Sequence, residues 1–335
     1  MIAFNALRRL MRPPARGNEL GESEACELFS AMLDGGIGEP ELGALLAALA
    51  LRPLAAAELA GFSRAARSRI NRLPAPARTG ATVRRPVVVP SYGGARHHPN
   101  LMPLLALALA RFGVPTLVHG PLEGHGSVAS ASVLRELGIL PSSSLRQLQT
   151  SLAESGIAYA PTALLLPSLA QLLSLRGRLG FENCAHWVAR LVDPFGGEGL
   201  MLVPADDPLQ RERFVEAIAA LGHEALLFDG MEGEAYPDPR QRPAIEHFSD
   251  GARRLLFAAE PAALPAKSPR LPRLPEEPQA RGTARWIALA LEGKEALPSP
   301  LANLLACCLY AAGYADDFNQ SKAIVAVRAR VAAEA

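Results

Sequence analysis

Between Leu59 and Leu122 there is not one aspartate or glutamate. The chain holds 33 acids in 335 residues, so a window of that length would be expected to carry about six. Their absence rules out a locally balanced surface there. It leaves nine arginines (Arg64, Arg67, Arg69, Arg72, Arg78, Arg84, Arg85, Arg96 and Arg111) and three histidines without acidic neighbours in sequence. The acids gather in the N-terminal helix and the later half, so a net charge of +1 hides the asymmetry. Aromatics are scarce at 5%, which excludes base stacking as the main source of any affinity for nucleic acid. The four cysteines (Cys26, Cys184, Cys307, Cys308) show neither CxxC nor Cys/His metal spacing, which argues against a zinc module and suits buried, reduced thiols in the cytosol. The apolar runs Leu42–Leu51 and Leu101–Ala110 stop at Arg52 and Arg111, too short to span a bilayer. Arginines interrupt the opening "MIAFNALRRLMRPPARG" before a signal-peptide core can form. A soluble, cytoplasmic protein with no membrane partner is expected.

What is present is a chain 49% apolar and 20% charged, long enough for two domains with full cores. Helical spacing runs through "ESEACELFSAMLDGG", Glu39–Leu51 and Leu54–Asn71. "LPAPARTGATVRRP" (Leu73–Pro86) then breaks the periodicity and reads as a hinge. Beyond it strands, turns and helices alternate: "VVVP", a helix over Leu101–Phe112, "PTLVHG", a helix over Ser127–Leu137, then "GIAYAP", "GLMLVP" and "EALLFDG". That rhythm predicts an α/β fold: a small all-helical N-terminal domain (1–72, joined by helices from about 165–192), a hinge (73–86) and a larger, mostly parallel α/β domain (87–335). Ligands of such sheets bind at the carboxyl ends of the strands, where "SYGGA", "HGPLEGHGS" and "DGMEGEAY" fall. The proline-rich Pro261–Gln279 reads as a surface excursion. Helices over Ala284–Leu291, Leu301–Ala312 and Asn319–Ala332 close the chain, the vicinal Cys307–Cys308 pair on a packed one.

A helical front followed by an α/β body with these strand-end turns resembles the anthranilate phosphoribosyltransferase family, whose fold the nucleoside phosphorylases share. The resemblance is strongest over "VPTLVHGPLEGHGSVASASVLRELG" and "RGRLGFENCAHWVARLVDP". It implies a site for phosphoribosyl pyrophosphate and Mg²⁺ between two domains, and a dimer formed through the helical domain. The family's Gly-Thr-Gly-Gly-Asp loop corresponds here to Ser91, Tyr92, Gly93, Gly94 and Ala95, with the carboxylate gone. Its Lys-His-Gly-Asn-Arg loop becomes Val118, His119, Gly120, Pro121 and Leu122. Its Ser-Ser-Lys stretch becomes His125, Gly126 and Ser127, its acceptor-contacting arginine Glu182, and its metal-binding acidic pair Ala235 and Tyr236. Losing one group that takes up developing charge costs about 10²–10³ in rate, and five such losses leave no route to the reaction. Catalytic residues, metal ligands and a cofactor are therefore not expected. Ser91, Tyr92, Gly93, Gly94, His119, Gly120 and Ser127 remain as a vestigial phosphate loop. "PSYGGARHHPNLMPLLA", "DGMEGEAYPDPRQRP" and "LACCLYAAG" resemble the family's YbiB branch, which implies dimeric, non-enzymatic nucleic-acid binding with little sequence preference.

The charge pattern points the same way. Arg64, Arg67 and Arg72 share a helical face with Arg69 nearby, while Arg84 and Arg85 precede the strand that delivers Arg96. Together with Arg176 and Arg178 they are expected to line a basic groove between domains or protomers and to track phosphates of single- or double-stranded DNA or of RNA. Arg176 and Arg178 read equally as caps of the Leu169–Leu175 helix. Tyr92 reads either as a stacking ring or as core packing. His97 and His98 read as solvent-facing and His119 as hydrogen-bonded structure. The apolar residues of Gly43–Phe62 are the expected dimer surface. The alternative is a glycosyltransferase or phosphorylase with an altered substrate, in which Glu232 and Glu234 hold a displaced Mg²⁺.

Overall fold

A computed structural model describes residues 2–11, 18–76, 84–124, 126–260, 274–275 and 278–328. Arg78, His125, part of the Leu73–Pro86 hinge, most of Pro261–Gln279 and the last predicted helix beyond Arg328 lie outside them.

Amphipathic spacing produces the first four helices, α1 (Ile2–Leu10), α2 (Glu22–Leu33), α3 (Glu39–Ala50) and α4 (Ala56–Arg67). Ala25, Leu28, Phe29 and Met32 form the buried stripe of α2, and Phe29 stacks on Phe62 of α4 with ring centroids 4.8 Å apart. Glu58 is fully buried at the start of α4. Its carboxylate accepts the backbone N–H of Leu20 and Ala55 and two N–H groups of Arg52, which is what makes a buried charge tolerable.

The body follows as β1 (Val87–Pro90), α5 (Met102–Arg111), β2 (Thr116–Gly120), α6 (Ser130–Glu136), α7 (Leu145–Ser155) and β3 (Ile157–Pro161). The chain then crosses back through α8 (Thr162–Leu165), α9 (Pro167–Ser174), α10 (Arg176–Leu179) and α11 (Cys184–Ala189), of which α9 and α11 pack against α2–α4. It returns as β4 (Leu200–Ala205), α12 (Pro208–Leu221), β5 (Ala225–Asp229), β6 (Ile245–Ser249) and β7 (Ala252–Phe257), and ends in α13 (Ala280–Leu291), α14 (Ser299–Ala311) and α15 (Phe318–Arg328). The strand order is β3-β2-β1-β4-β5-β6-β7, with the first five parallel.

Alternation along the strands splits the core. Val88, Leu117 and Met201 face the helical bundle, α11 and α12, and one apolar network runs from the bundle onto that face. Val87, Val89, Val118 and Leu202 face α5, α6, α13 and α14 on the other side. Packing of this extent seats the bundle directly on the sheet, so the strand ends beside it form a fixed crevice.

The antiparallel pair β6–β7 was not expected from the sequence. Its turn is Asp250–Gly251, both with positive φ (49° and 76°), the Asp-Gly chemistry of a tight hairpin. β7 reads "ARRLLF" and lies exposed at the sheet edge, so it lacks the apolar run that marks a buried strand.

Candidate functional site

At the carboxyl ends of the parallel strands, the turn after β1 and the turn after β5 lock together. Gly93 packs against the second turn so closely that a Cβ there would lie 2.0 Å from the Glu232 carbonyl oxygen. Gly94 has φ +68°, and a Cβ on it would meet the Ser127 hydroxyl at 2.2 Å. The two glycines that the sequence offered as a phosphate approach are thus taken up by neighbouring chain. Glu234 fastens the arrangement. It is buried (1% exposed) and accepts the Gly94 backbone N–H at 2.6 Å, the Ser91 hydroxyl at 3.2 Å and the Ser130 hydroxyl at 2.9 Å. Burial pushes its carboxyl above the ordinary value even against those donors. Glu232, at a positive φ of 53°, accepts the backbone N–H groups of Arg96 (2.5 Å) and His97 (3.1 Å) and pairs with His98 at 3.2 Å. Burial alone would raise this carboxyl too, but the Arg96 N–H, the His98 side chain and the His97 N–H together hold it below its ordinary value. The oxygens of Glu232 and Glu234 thus each accept N–H or O–H donors of the protein. No group of three or more His, Cys, Asp or Glu suited to a metal occurs among the described residues.

Tyr92 is core. It is 6% exposed, its hydroxyl meets His119 Nδ1 at 2.9 Å, and Thr162 donates to it at 3.2 Å. The base-stacking reading of this ring is therefore withdrawn. His119 Nε2 has no partner among the described residues. Burial pushes the His119 pKa down to about 3 and the Tyr92 phenol up. His97 is exposed, and His98 is half-buried, paired with Glu232 while part of its ring still meets solvent.

A cavity of about 180 Å³ remains between these turns and α9. Tyr92, Pro121, Leu122, Pro161, Ala170 and Leu173 give it an apolar lining. Arg176 is the only arginine or lysine lining it among the described residues, and Glu182 holds that guanidinium at 2.8 Å. Next to it a wider hollow of about 320 Å³ mixes Arg96, His97 and Arg190 with Glu182, Asp206 and Glu232. Arg190, absent from the sequence reading, is 3% exposed and pairs with Asp206 at 2.7 Å. Nothing in "WVARLVDP" marks it for burial.

Within one chain the arginines do not line a single groove. Arg178 reaches out to Glu39 at the start of α3, and Arg69 turns to Asp34, gripping both its oxygens at 2.6 and 2.7 Å. Five of the arginines gather at the other end of the sheet, where the strands begin. Arg64 pairs with Glu22 and bonds the Ala220 carbonyl at the end of α12 (3.2 Å). Arg67 reaches the Gly196 carbonyl at 3.4 Å in the turn before β4, and the exposed Arg72 lies beside the same residue. Arg84 donates to Phe112 and Gly113 before β2 and lies 4.6 Å from the Tyr314 ring centroid. Arg85 stands 3.8 Å from the buried Glu224 just before β5. Helices that antiparallel their strands end here, so these guanidiniums partly serve C-terminal carbonyls. Arg64 and Arg85 face the carboxylates of Glu22 and Glu224, so the positive charge kept at this end comes from Arg67, Arg72 and Arg84.

One smaller expectation changes and another holds. Leu45, Leu46, Leu49, Leu54, Leu59 and Phe62 of Gly43–Phe62 are buried in the bundle, and the exposed large apolar residues among the described ones of that domain are Ile2, Phe4, Met11 and Leu51. Cys307 and Cys308 are fully buried on α14, where burial pushes both thiols up and away from redox chemistry. No helix among the described residues is long and apolar enough to cross a membrane.

Comparison with known proteins places this architecture. Residues 6–70 match the helical bundle domain of a glycosyl transferase family. The chain is 34% identical to the uncharacterized protein YbiB of Escherichia coli over 313 residues, covering 92% of this chain and 95% of that one. It is 29% identical to the anthranilate phosphoribosyltransferase of Novosphingobium aromaticivorans over 222 residues, 66% of this chain and 65% of the enzyme. The crystal structure of anthranilate phosphoribosyltransferase from Thermus thermophilus superposes with a TM-score of 0.76 at 20% identity, covering 98% of this chain and 94% of that one.

Proposed function

Since the chain belongs to the family that unites YbiB with the anthranilate phosphoribosyltransferases, we propose that it is a non-catalytic member that binds nucleic acid through its arginine-rich sheet edge, with little sequence preference and as a homodimer. The observation that carries this reading is the gathering of Arg64, Arg67, Arg72, Arg84 and Arg85 where the strands begin. Guanidiniums spread along an edge suit a phosphate backbone, whereas reading base edges needs side chains aimed into a groove. The crevice supports the non-catalytic half. Its glycines meet protein, its carboxylates meet N–H and O–H donors, and Arg176 is neutralised by Glu182. The exposed Phe4, Met11 and Leu51 are an apolar surface on which two helical domains could meet.

Fluorescence anisotropy of a labelled single-stranded oligonucleotide, titrated at several salt concentrations, tests the reading. Backbone recognition predicts that log K falls linearly with log salt by about 0.7 per phosphate engaged, whatever the sequence. Absence of binding at low salt would overturn it.

A second reading, a transferase with an altered substrate, draws on the retained 180 Å³ cavity beside the raised Glu234 carboxyl. Calorimetry with phosphoribosyl pyrophosphate and Mg²⁺ decides it: micromolar binding would favour the transferase, and no heat is expected.

A further inference from the structure

A second hollow opens at the same end of the sheet as the arginines, between α5, α13, α14 and α15. Its volume is about 180 Å³. Ala108, Leu297 and Leu305 make an apolar floor, Phe112 a wall, and two exposed arginines, Arg111 and Arg328, complete the lining. Neither arginine is consumed by its protein contacts. Arg111 donates to the Leu291 carbonyl at the end of α13, and Arg328 donates to the Tyr314 hydroxyl at 3.3 Å, each keeping further N–H groups.

The aromatics here are few and placed with cations. Phe112 and Tyr314 meet edge to face, centroids 5.6 Å apart at 80°. Arg328 lies 6.0 Å from the Phe112 centroid and Arg84 4.6 Å from that of Tyr314. Both rings are half-buried. The nearby acid, Glu292, is bound to Lys294 at 2.6 Å, and with Arg84, Arg111 and Arg328 around it the local charge stays positive. An apolar slot walled by an aromatic ring and edged by guanidiniums matches a planar, π-faced group carrying an anionic substituent.

We propose that this hollow binds a nucleobase with its adjoining phosphate: the base enters against Phe112, and the phosphate is held by Arg111 and Arg328. The ligand can be an unstacked base of a bound strand or a free nucleoside monophosphate, and only the strand-bound source rests on the nucleic-acid reading above. The arginines at the end of α4 would then track the backbone while this pocket anchors one nucleotide.

The test uses the full chain with three probes: a base-bearing oligonucleotide, an abasic oligonucleotide with the same number of phosphates, and adenosine monophosphate. The base-bearing strand is expected to bind about tenfold more tightly than the abasic one. Phe112→Ala should bring that ratio to one, and independently the surface change Arg328→Gln should weaken binding of the base-bearing strand and of adenosine monophosphate. Two strands of equal affinity in the wild type, with no calorimetric heat from adenosine monophosphate, would overturn the pocket while leaving backbone binding intact. If neither strand binds, the functional reading fails. In that case monophosphate binding lost in Arg328→Gln sustains the pocket for free nucleotide, and no monophosphate binding overturns it too.

Discussion

The two ends of the sheet use polar groups in opposite ways. At the carboxyl end, Glu234 meets Ser91 and Ser130, Glu232 meets His98 and Arg176 meets Glu182, and the crevice between them is left with an apolar lining. At the amino end, Arg64, Arg67, Arg72, Arg84 and Arg85 lie along one edge, Arg64 and Arg85 against the carboxylates of Glu22 and Glu224 and Arg67 and Arg84 against backbone carbonyls. A fold can thus keep the shape of a ligand site while its polar groups satisfy each other, and carry available charge where the family's chemistry does not take place. Neither difference needs a change of architecture, because function resides in side chains set on a scaffold.

The largest expected effect breaks the amino end. Changing Arg64, Arg67 and Arg72 together to Glu should weaken oligonucleotide binding by about 10²–10³-fold and lower the salt slope by about 2. Arg69→Glu is the control. Its loss of the Asp34 pair should cost some stability and leave the slope unchanged; a slope that moves with Arg69 instead would relocate the interface to the α2 side.

The next tests the carboxyl end. Glu234→Ala leaves the Gly94 N–H and the Ser91 and Ser130 hydroxyls without their acceptor, a loss of about 3 kcal/mol by urea unfolding. Near-neutral behaviour would mean that the two turns are not held by this carboxyl.

Acid sharpens the contrast further. Burial holds His119 at about 3 and His223 at about 4, against an ordinary 6.5. Between the folded and unfolded values the unfolded chain binds the proton and the folded chain does not, so stability rises with pH in that window. Taking pH down from 6.5 should therefore cost about 1.4 kcal/mol per unit for each histidine. His119→Gln should remove one proton's share of that slope; an unchanged slope would place the acid sensitivity elsewhere. Smallest of all, Arg178→Ala removes an exposed pair 3.4 Å from Glu39 and should shift stability by less than about 0.5 kcal/mol. A larger thermal shift would give α10 a structural weight that its exposure does not suggest.

Much of the fold was legible because its signals are local. Helical spacing marks α2 by Ala25, Leu28, Phe29 and Met32, and apolar runs mark β1, β2, β4 and β5, since a strand covered on both faces has no polar side to show. The hairpin β6–β7 was hidden because an exposed, arginine-bearing edge strand carries no such run, although Asp250–Gly251 was its available sign. At the site, the missing family charges could be read residue by residue. That Gly93 makes room for Glu232, that Tyr92 packs on His119, and that Arg69 belongs to Asp34 could not, because each partner lies between 27 and 139 residues away in the chain.

By itself, then, the sequence determined the class of fold, the loss of the transferase's charged groups and the existence of an acid-free arginine window, all of which depend on residue type and near spacing. Tertiary structure alone decided where those arginines went. Parallel strands send everything that precedes them to one end of the sheet and everything that follows to the other, so Arg85 and Arg96, eleven positions apart with β1 between them, stand at opposite ends of the sheet.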